Sequence, residues 1–344
     1  LATINRNSIS CVVIRLSSLG DVLLTFPVLG PVAAATGASL AFVTREDWAP
    51  LVRRHPAVDA VLALPPRGAR GDGEVAELIR EINENIKPEI VLDWHGVGLS
   101  RYLAAQLDAY AKARYQKFAL RRWLLAGAGL DLLPRPTRSI PELYAAAAAK
   151  WGVKGPDRSF RLPEDGGVAE RLRADYGLGP GMVALAPGAR NAAKAWPPSH
   201  WRELAGRLEA DGTRILLLGS GDERALCDDV AAAAKGAVNL AGEVAVDELP
   251  EALRGAALLV TNDSASTHLA PLVDVPALVL FGPTSPRFGF GPGGPRDRVI
   301  YLNPACSPCS KHGRRPCWRE RRYCLEDIEP ARVAEAAAEM LRAA

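Results

Sequence analysis

The chain has 344 residues, more than one hydrophobic core usually serves, so two domains are expected. Its composition, 48% hydrophobic and 24% charged, excludes wholesale disorder, and a net charge of +3 excludes a uniformly polycationic or polyanionic surface. No segment approaches the roughly 20 continuous apolar residues of a membrane helix, and the first ten residues lack the apolar core of a secretory signal; the expectation is a cytoplasmic protein that touches the inner membrane peripherally at most.

In chain order, short apolar runs alternate with longer helical patterns. Residues 11–16, 39–44, 58–64 and 89–94 read as strands apolar on both faces, with helices between them over 20–37, 45–56 and 73–86. That alternation predicts a parallel sheet covered on both sides. An Ala-rich helix over 139–153 closes the first half, and residues 154–167 gather Pro, Gly and charge as a linker does. The second half repeats the scheme, with strands over 182–188, 213–221, 237–242, 257–263, 276–283 and 297–302, and helices over 199–212, 222–236, 247–256 and 264–275. The expected architecture is α/β: two doubly wound, Rossmann-like domains facing across a cleft, over residues 1–155 and 165–325. A last helix within 326–344 is expected to pack back across the linker on the first domain.

Ligands of open parallel sheets bind beyond the carboxyl ends of the strands, and four such loops are chemically unusual. "RLSSLGD" ends in Gly20, which permits close approach or positive φ, and in Asp21, an acid at a helix start. That acid can be a cap, a charge at the helix dipole or a catalytic base. "LAPGARNAAKAWPPSHW" carries Arg190 and Lys194, suited to a phosphate. "LLLGSGDER" offers Ser220 in a glycine turn, followed by Asp222 and Glu223, which suit ribose hydroxyls, without the full dinucleotide fingerprint. "TNDSASTHLAP" opens a helix at Asp263, Ser264 and Ala265, whose backbone N–H groups form an anion site, and carries His268 one turn on.

The segment "CSPCSKHGRRPCWRERRYC" spaces Cys306, Cys309, Cys317 and Cys324 as C-x2-C-x7-C-x6-C. In a cytosolic chain this reads as a structural zinc or iron site, with free thiols and disulfides as the alternatives. Six cations and one acid lie in residues 311–322, a basic finger that suits lipid or lipopolysaccharide phosphates or nucleic acid.

In order and spacing, "RLSSLGDVLLTFPVL", "APGARNAAKAWPPSHW", "NDSASTHLAPLVDVPALVLFGPTSP" and the late cysteine segment resemble the ADP-heptose:lipopolysaccharide heptosyltransferases, glycosyltransferase family 9. The resemblance implies a GT-B fold, ADP-heptose as donor, a lipopolysaccharide inner-core sugar as acceptor, and inverting transfer without a catalytic metal. It implies Asp21 as the general base. Gly20, Arg190, Lys194, Ser220, Glu223, Asp263, Ser264, Ala265 and His268 are the expected donor-binding residues, and no motif identifies the acceptor side. Within the class, a protein hydroxyl acceptor or another nucleotide sugar is the alternative. Outside it stands a non-catalytic module binding nucleic acid or an anionic surface through the basic finger.

Overall fold

The computed structural model describes residues 10–66 and 72–343, so the N-terminal stretch read for a signal lies almost wholly outside the described residues. Within them, the chain forms two parallel sheets. The first orders five strands β3-β2-β1-β4-β5: β1 (Ser10–Ile14), β2 (Ser39–Arg45), β3 (Ala60–Leu64), β4 (Ile90–Asp93) and β5 (Ala111–Arg114). Register is fixed at β1, where Cys11 lies opposite Leu40 of β2 and Ile90 of β4. The second orders six strands β11-β10-β9-β6-β7-β8: β6 (Met182–Ala186), β7 (Ile215–Leu217), β8 (Val238–Asn239), β9 (Ala256–Asn262), β10 (Ala277–Phe281) and β11 (Arg298–Tyr301). Central strands β1, β4, β6 and β10 are buried along their whole length, as sheets covered on both faces require.

Each sheet reverses its winding beside its first strand. β1 lies between β2 and β4, and β6 between β7 and β9. Such switch points open a crevice at the carboxyl ends of the two strands flanking them. In the first unit these are the loops after β1 and β4; in the second, the loops after β6 and β9.

The helix expected over 20–37 is two helices, Leu19–Leu23 and Phe26–Thr36. Pro27 forces the break: it cannot extend the preceding turn but suits the first turn of a new helix. By length and composition alone the stretch Leu19–Thr36 is apolar enough to cross a membrane, although Asp21 interrupts it. Phe26, Val28, Leu29 and Val32 are nonetheless buried in the first unit, as in a core helix. β5 was not anticipated; its half-buried alanines alternate with exposed Lys112 and Arg114, the pattern of a guarded sheet edge.

The domain borders also differ from expectation. One compact unit holds the chain up to Lys117 plus Arg138–Pro163; the other holds Phe118–Thr137 plus Glu164 onward. Residues 118–137 join the second unit because Leu125 and Leu133 pack on Phe288 and Asp131 pairs with Arg287 at 2.8 Å. The last helix, Pro330–Arg342, buries Val333, Ala337 and Met340 in the second core with Leu204 and Leu208 of helix Pro198–Ala210. It thus completes its own unit, and the expectation that it packs on the first is corrected: its apolar stripe is used up there.

Candidate active site

In the first unit the loop after β1 delivers Asp21 to the first turn of helix Leu19–Leu23. One carboxylate oxygen lies 2.6 Å from Arg15 Nη2. The other accepts from the Ser18 backbone N–H at 3.2 Å and from Ser18 Oγ at 3.0 Å. Arg15 in turn donates from Nη1 to the carbonyl of Trp94, just past β4, at 2.6 Å. Both strands of the switch point therefore fix this one acid. Burial pushes the Asp21 carboxyl up, but the Arg15 charge and the Ser18 hydrogen bonds outweigh it and hold the group below its ordinary value. Asp21 is charged, with its side chain 23% exposed.

Gly20 lies inside the helix, buried, and is not among the glycines with positive φ; of its two readings, close approach or positive φ, the second does not occur, because the helix starts one residue earlier. His95 completes the neighbourhood and was missed in the sequence. Burial, then the charges of Arg15 and Lys117, push its imidazole down to about 4, so it is neutral at neutral pH. Its Nδ1 is buried without a hydrogen-bond partner. Asp93 shapes this turn by accepting from the backbone N–H groups of His95 and Gly96 at 3.1 and 2.7 Å.

In the second unit the loops after β6 and β9 meet. Lys194 Nζ lies 2.6 Å from Asp263 Oδ2, with side chains 17% and 9% exposed. Thr284 Oγ1 donates to the same oxygen at 2.7 Å. Asn262 ties the loops together, donating from Nδ2 to the carbonyl of Pro187 at 2.8 Å and accepting from the Trp196 N–H at 3.0 Å. Ser264 Oγ lies 3.0 Å from Thr261 Oγ1. Glu223 folds back so that one oxygen accepts from the Ser220 N–H at 2.8 Å, and its carboxylate occupies the space a Cβ on Gly188 would need. Glu223 is thus carried to the loop after β6.

Two expectations change here. The helix after Ala265 is only Ser266–Leu269, one turn, with His268 buried in it; so short a helix has little dipole to offer an anion. Asp263 lies ahead of the helix, whose first residue is Ser266, and is the partner of Lys194. Arg190 is exposed and forms no ion pair among the described residues.

The four cysteines are all free thiols, Cys324 buried and Cys317 exposed, and all four line one recess with Arg315, Trp318, Arg322 and Tyr323. Burial, then the neighbouring thiols, pushes Cys324 up to about 12 and Cys309 above its ordinary value. Among the described residues no three of the metal-ligating side chains form a ligand set. The spacing brings the sulfurs to one place, but the side chains as placed do not converge on a point.

Residues 134–317 match the family described as glycosyltransferase family 9 (heptosyltransferase). The chain belongs to that family. This family 9 glycosyltransferase is 28% identical over 365 residues to lipopolysaccharide heptosyltransferase 1 of Pseudomonas aeruginosa, a match spanning 96% of this chain and 97% of the relative. The solved ADP-heptose lipopolysaccharide heptosyltransferase II of E. coli covers 97% of this chain and 99% of its own, with a TM-score of 0.75 at 23% identity. The iron-containing dodecameric glycosyltransferase TibC of enterotoxigenic E. coli covers 99% of this chain and 78% of its own, with a TM-score of 0.58 at 16% identity. These structural likenesses carry the fold, and the two parallel sheets are those of the GT-B heptosyltransferases. A glycosyltransferase leaves no room for the non-catalytic module as the reading of the whole chain.

Proposed function

We propose that this glycosyltransferase moves a heptose from ADP-heptose to a sugar hydroxyl of the lipopolysaccharide inner core with inversion, and that Asp21 is the general base. The single observation that carries the mechanism is the state of Asp21: a partly exposed carboxylate kept charged by Arg15 and Ser18 at the first switch point. The acceptor O–H gives its proton to that carboxylate as its oxygen bonds to the anomeric carbon. The bond from that carbon to the ADP oxygen breaks with its electron pair leaving on ADP. Attack opposite the leaving group inverts the centre, and no glycosyl-enzyme forms. A base held below its ordinary value takes the proton only as the hydroxyl becomes acidic in the transition state, which makes transfer concerted.

Lys194 supports the donor half of the reading. An ammonium has three donors; one is committed to Asp263, leaving two for the diphosphate, where charge grows as ADP departs. Asp263 then acts through Lys194, and Glu223, beside Gly188, suits the ribose hydroxyls. Ser220, after β7, and Ser264, Ala265 and His268, after β9, suit the same donor, as does exposed Arg190 in the loop after β6, and Gly20 contributes backbone rather than a donor contact.

The test is ADP release from ADP-heptose with a heptose-deficient lipopolysaccharide core, for the wild type and Asp21→Asn. The expected result is acceptor-dependent release that falls ~10²–10⁴-fold in the variant with ADP affinity unchanged, and a product of inverted anomeric configuration by NMR. Unchanged turnover in Asp21→Asn would remove the base.

The same reading puts the enzyme in the cytoplasm against an anionic membrane face. The amphipathic segment from helix Ala119–Ala128 onward supports it: Leu120 and Trp123 are 68% and 55% exposed, and Leu130 and Leu132 follow at 53% and 54%. Arg121 and Arg135 of the same segment are exposed, the kind of basic residue an interfacial anchor on anionic lipid uses. For the cysteine recess, four thiols suit zinc or iron in a structural role, once the side chains turn inward. Metal content per chain, with and without Cys309→Ser, decides it.

A further inference from the structure

The four-cysteine segment is bound to the very loop that carries Lys194. Asn191 Nδ2 donates to the carbonyl of His312 at 2.8 Å. Arg322 Nη1 donates to the carbonyls of Ala192 and Ala195 at 2.9 Å each. Gly313, at φ +71°, lies so close over the lysine stem that a Cβ there would sit 2.3 Å from Lys194 Cγ and 2.6 Å from Cδ. One part of the segment thus covers the aliphatic stem, and another grips the turn on both sides of it.

The loop has little stiffness of its own. Residues 192–194 form a single turn without a side-chain cap, closed by two backbone bonds, Lys194 N–H to Asn191 and Ala195 N–H to Ala192. Arg322, by contrast, is anchored: Glu326 accepts from its backbone N–H at 3.1 Å, and the helix Tyr323–Glu326 that follows buries Cys324 and Leu325 in the second core. A rigid path therefore runs from that core through Arg322 to the carbonyls flanking Lys194.

We propose that residues 306–324 are a positioning element for the donor site, with Gly313 and Arg322 as positioning residues that aim the Lys194 ammonium at Asp263 and at a nucleoside diphosphate. A four-carbon stem otherwise samples many rotamers, and fixing it before binding lowers the entropy cost of engaging the phosphates. The four thiols, at the root of the same segment, are thereby coupled to donor affinity and not to the base at Asp21. This inference rests on the reading of Lys194 as the diphosphate ligand.

The test is ADP binding by calorimetry to the full chain, in a double-mutant cycle. Lys194→Ala, Gly313→Ala, Arg322→Gln and the Lys194→Ala combinations are measured, with circular dichroism and thermal melts reporting the fold. The expected result is that Gly313→Ala and Arg322→Gln each weaken ADP about 10-fold, raise KM for the nucleotide sugar far more than they lower kcat, and have no further effect on ADP once Lys194 is alanine. Arg322→Lys, which keeps one donor to the two carbonyls, is expected to recover part of the loss. Additive losses in the Lys194→Ala background, or no loss in either single variant, would overturn the positioning role while leaving Lys194 as ligand. Unweakened ADP binding in Lys194→Ala itself would instead overturn the donor reading, and the inference with it.

Discussion

Arg15 and Asp21 meet at 2.6 Å with the guanidinium side chain 6% and the carboxylate 23% exposed, so the charge on the reactive acid is set by a partner that solvent barely reaches. Asp21 titrates below its ordinary value, so the stability it adds is present above the unfolded carboxyl pKa and lost only as pH falls through the lower folded one. In Arg15→Met the depressing charge is gone while burial and the Ser18 hydrogen bonds remain, so the carboxyl moves up from its depressed value. The acid limb of the kcat/KM profile is then expected to move to higher pH. Breaking so buried a pair is expected to cost about 3 kcal/mol at pH 7, read by urea denaturation. An acid limb that stays where it was would separate Arg15 from the proton transfer.

The Lys194–Asp263 pair calls for two measurements on the same variants. Lys194→Ala leaves Asp263, 9% exposed, with Thr284 Oγ1 as its remaining side-chain partner among the described residues, and is expected to cost about 3 kcal/mol of stability as well as most of the ADP affinity. In Lys194→Ala/Asp263→Ala the stranded charge is removed with its partner, so stability is expected to return while ADP affinity does not. If affinity returned too, Lys194 would serve to neutralise Asp263 rather than to hold phosphate.

Three of the four switch-point loops, those after β1, β6 and β9, were legible in the sequence because each follows a continuous apolar strand and breaks at Gly, Pro or an acid, features that survive without tertiary information. Arg15 was not. Its role depends on the carbonyl of Trp94, 79 positions away, and a lone cation at a strand end carries no local sign of that. His95 escaped for the same reason, and β5 escaped because an Ala-Lys-Ala-Arg edge has no β-branched residue to announce it. Residues 118–137 show the limit most plainly: their sequence places them in the first half, yet Leu125 and Leu133 find their partner in Phe288, a contact that no local pattern encodes.

His55 makes the stability of the first unit pH-dependent in a defined window. It is 1% exposed, with Nδ1 accepting from the Ala57 N–H at 3.1 Å and Nε2 3.0 Å from the carbonyl of Phe26, and it stacks on Phe160. Burial pushes the imidazole down to about 4, against about 6.5 in the unfolded chain. A depressed folded value means stability that is full above the unfolded pKa and lost as pH falls through the folded one. The expected loss is about 3 kcal/mol between pH 6.5 and 4, followed by urea denaturation. His55→Phe is expected to flatten that part of the curve, leaving the contribution of His95; an unchanged slope would exclude His55 as its source.

Gly282 follows β10, and a Cβ there would lie 2.5 Å from Leu325 Cγ and 2.8 and 2.9 Å from its two methyl carbons. Leu325 is fully buried, so it cannot swing into solvent, and the contact is with the body of the side chain rather than a flexible end. Gly282→Ala is therefore expected to cost about 1–3 kcal/mol by overpacking. Moving the short helix Tyr323–Glu326 outward relieves the strain, and Arg322, which grips the Lys194 turn, is the residue from which that helix starts. Loss of stability is thus expected to come with weaker ADP binding in a variant that touches neither Lys194 nor Asp263. Calorimetry alongside a thermal melt separates the two effects: lower stability with unchanged ADP affinity would mean that the helix yields without carrying Arg322, and that the grip on the donor loop is looser than its two 2.9 Å hydrogen bonds imply.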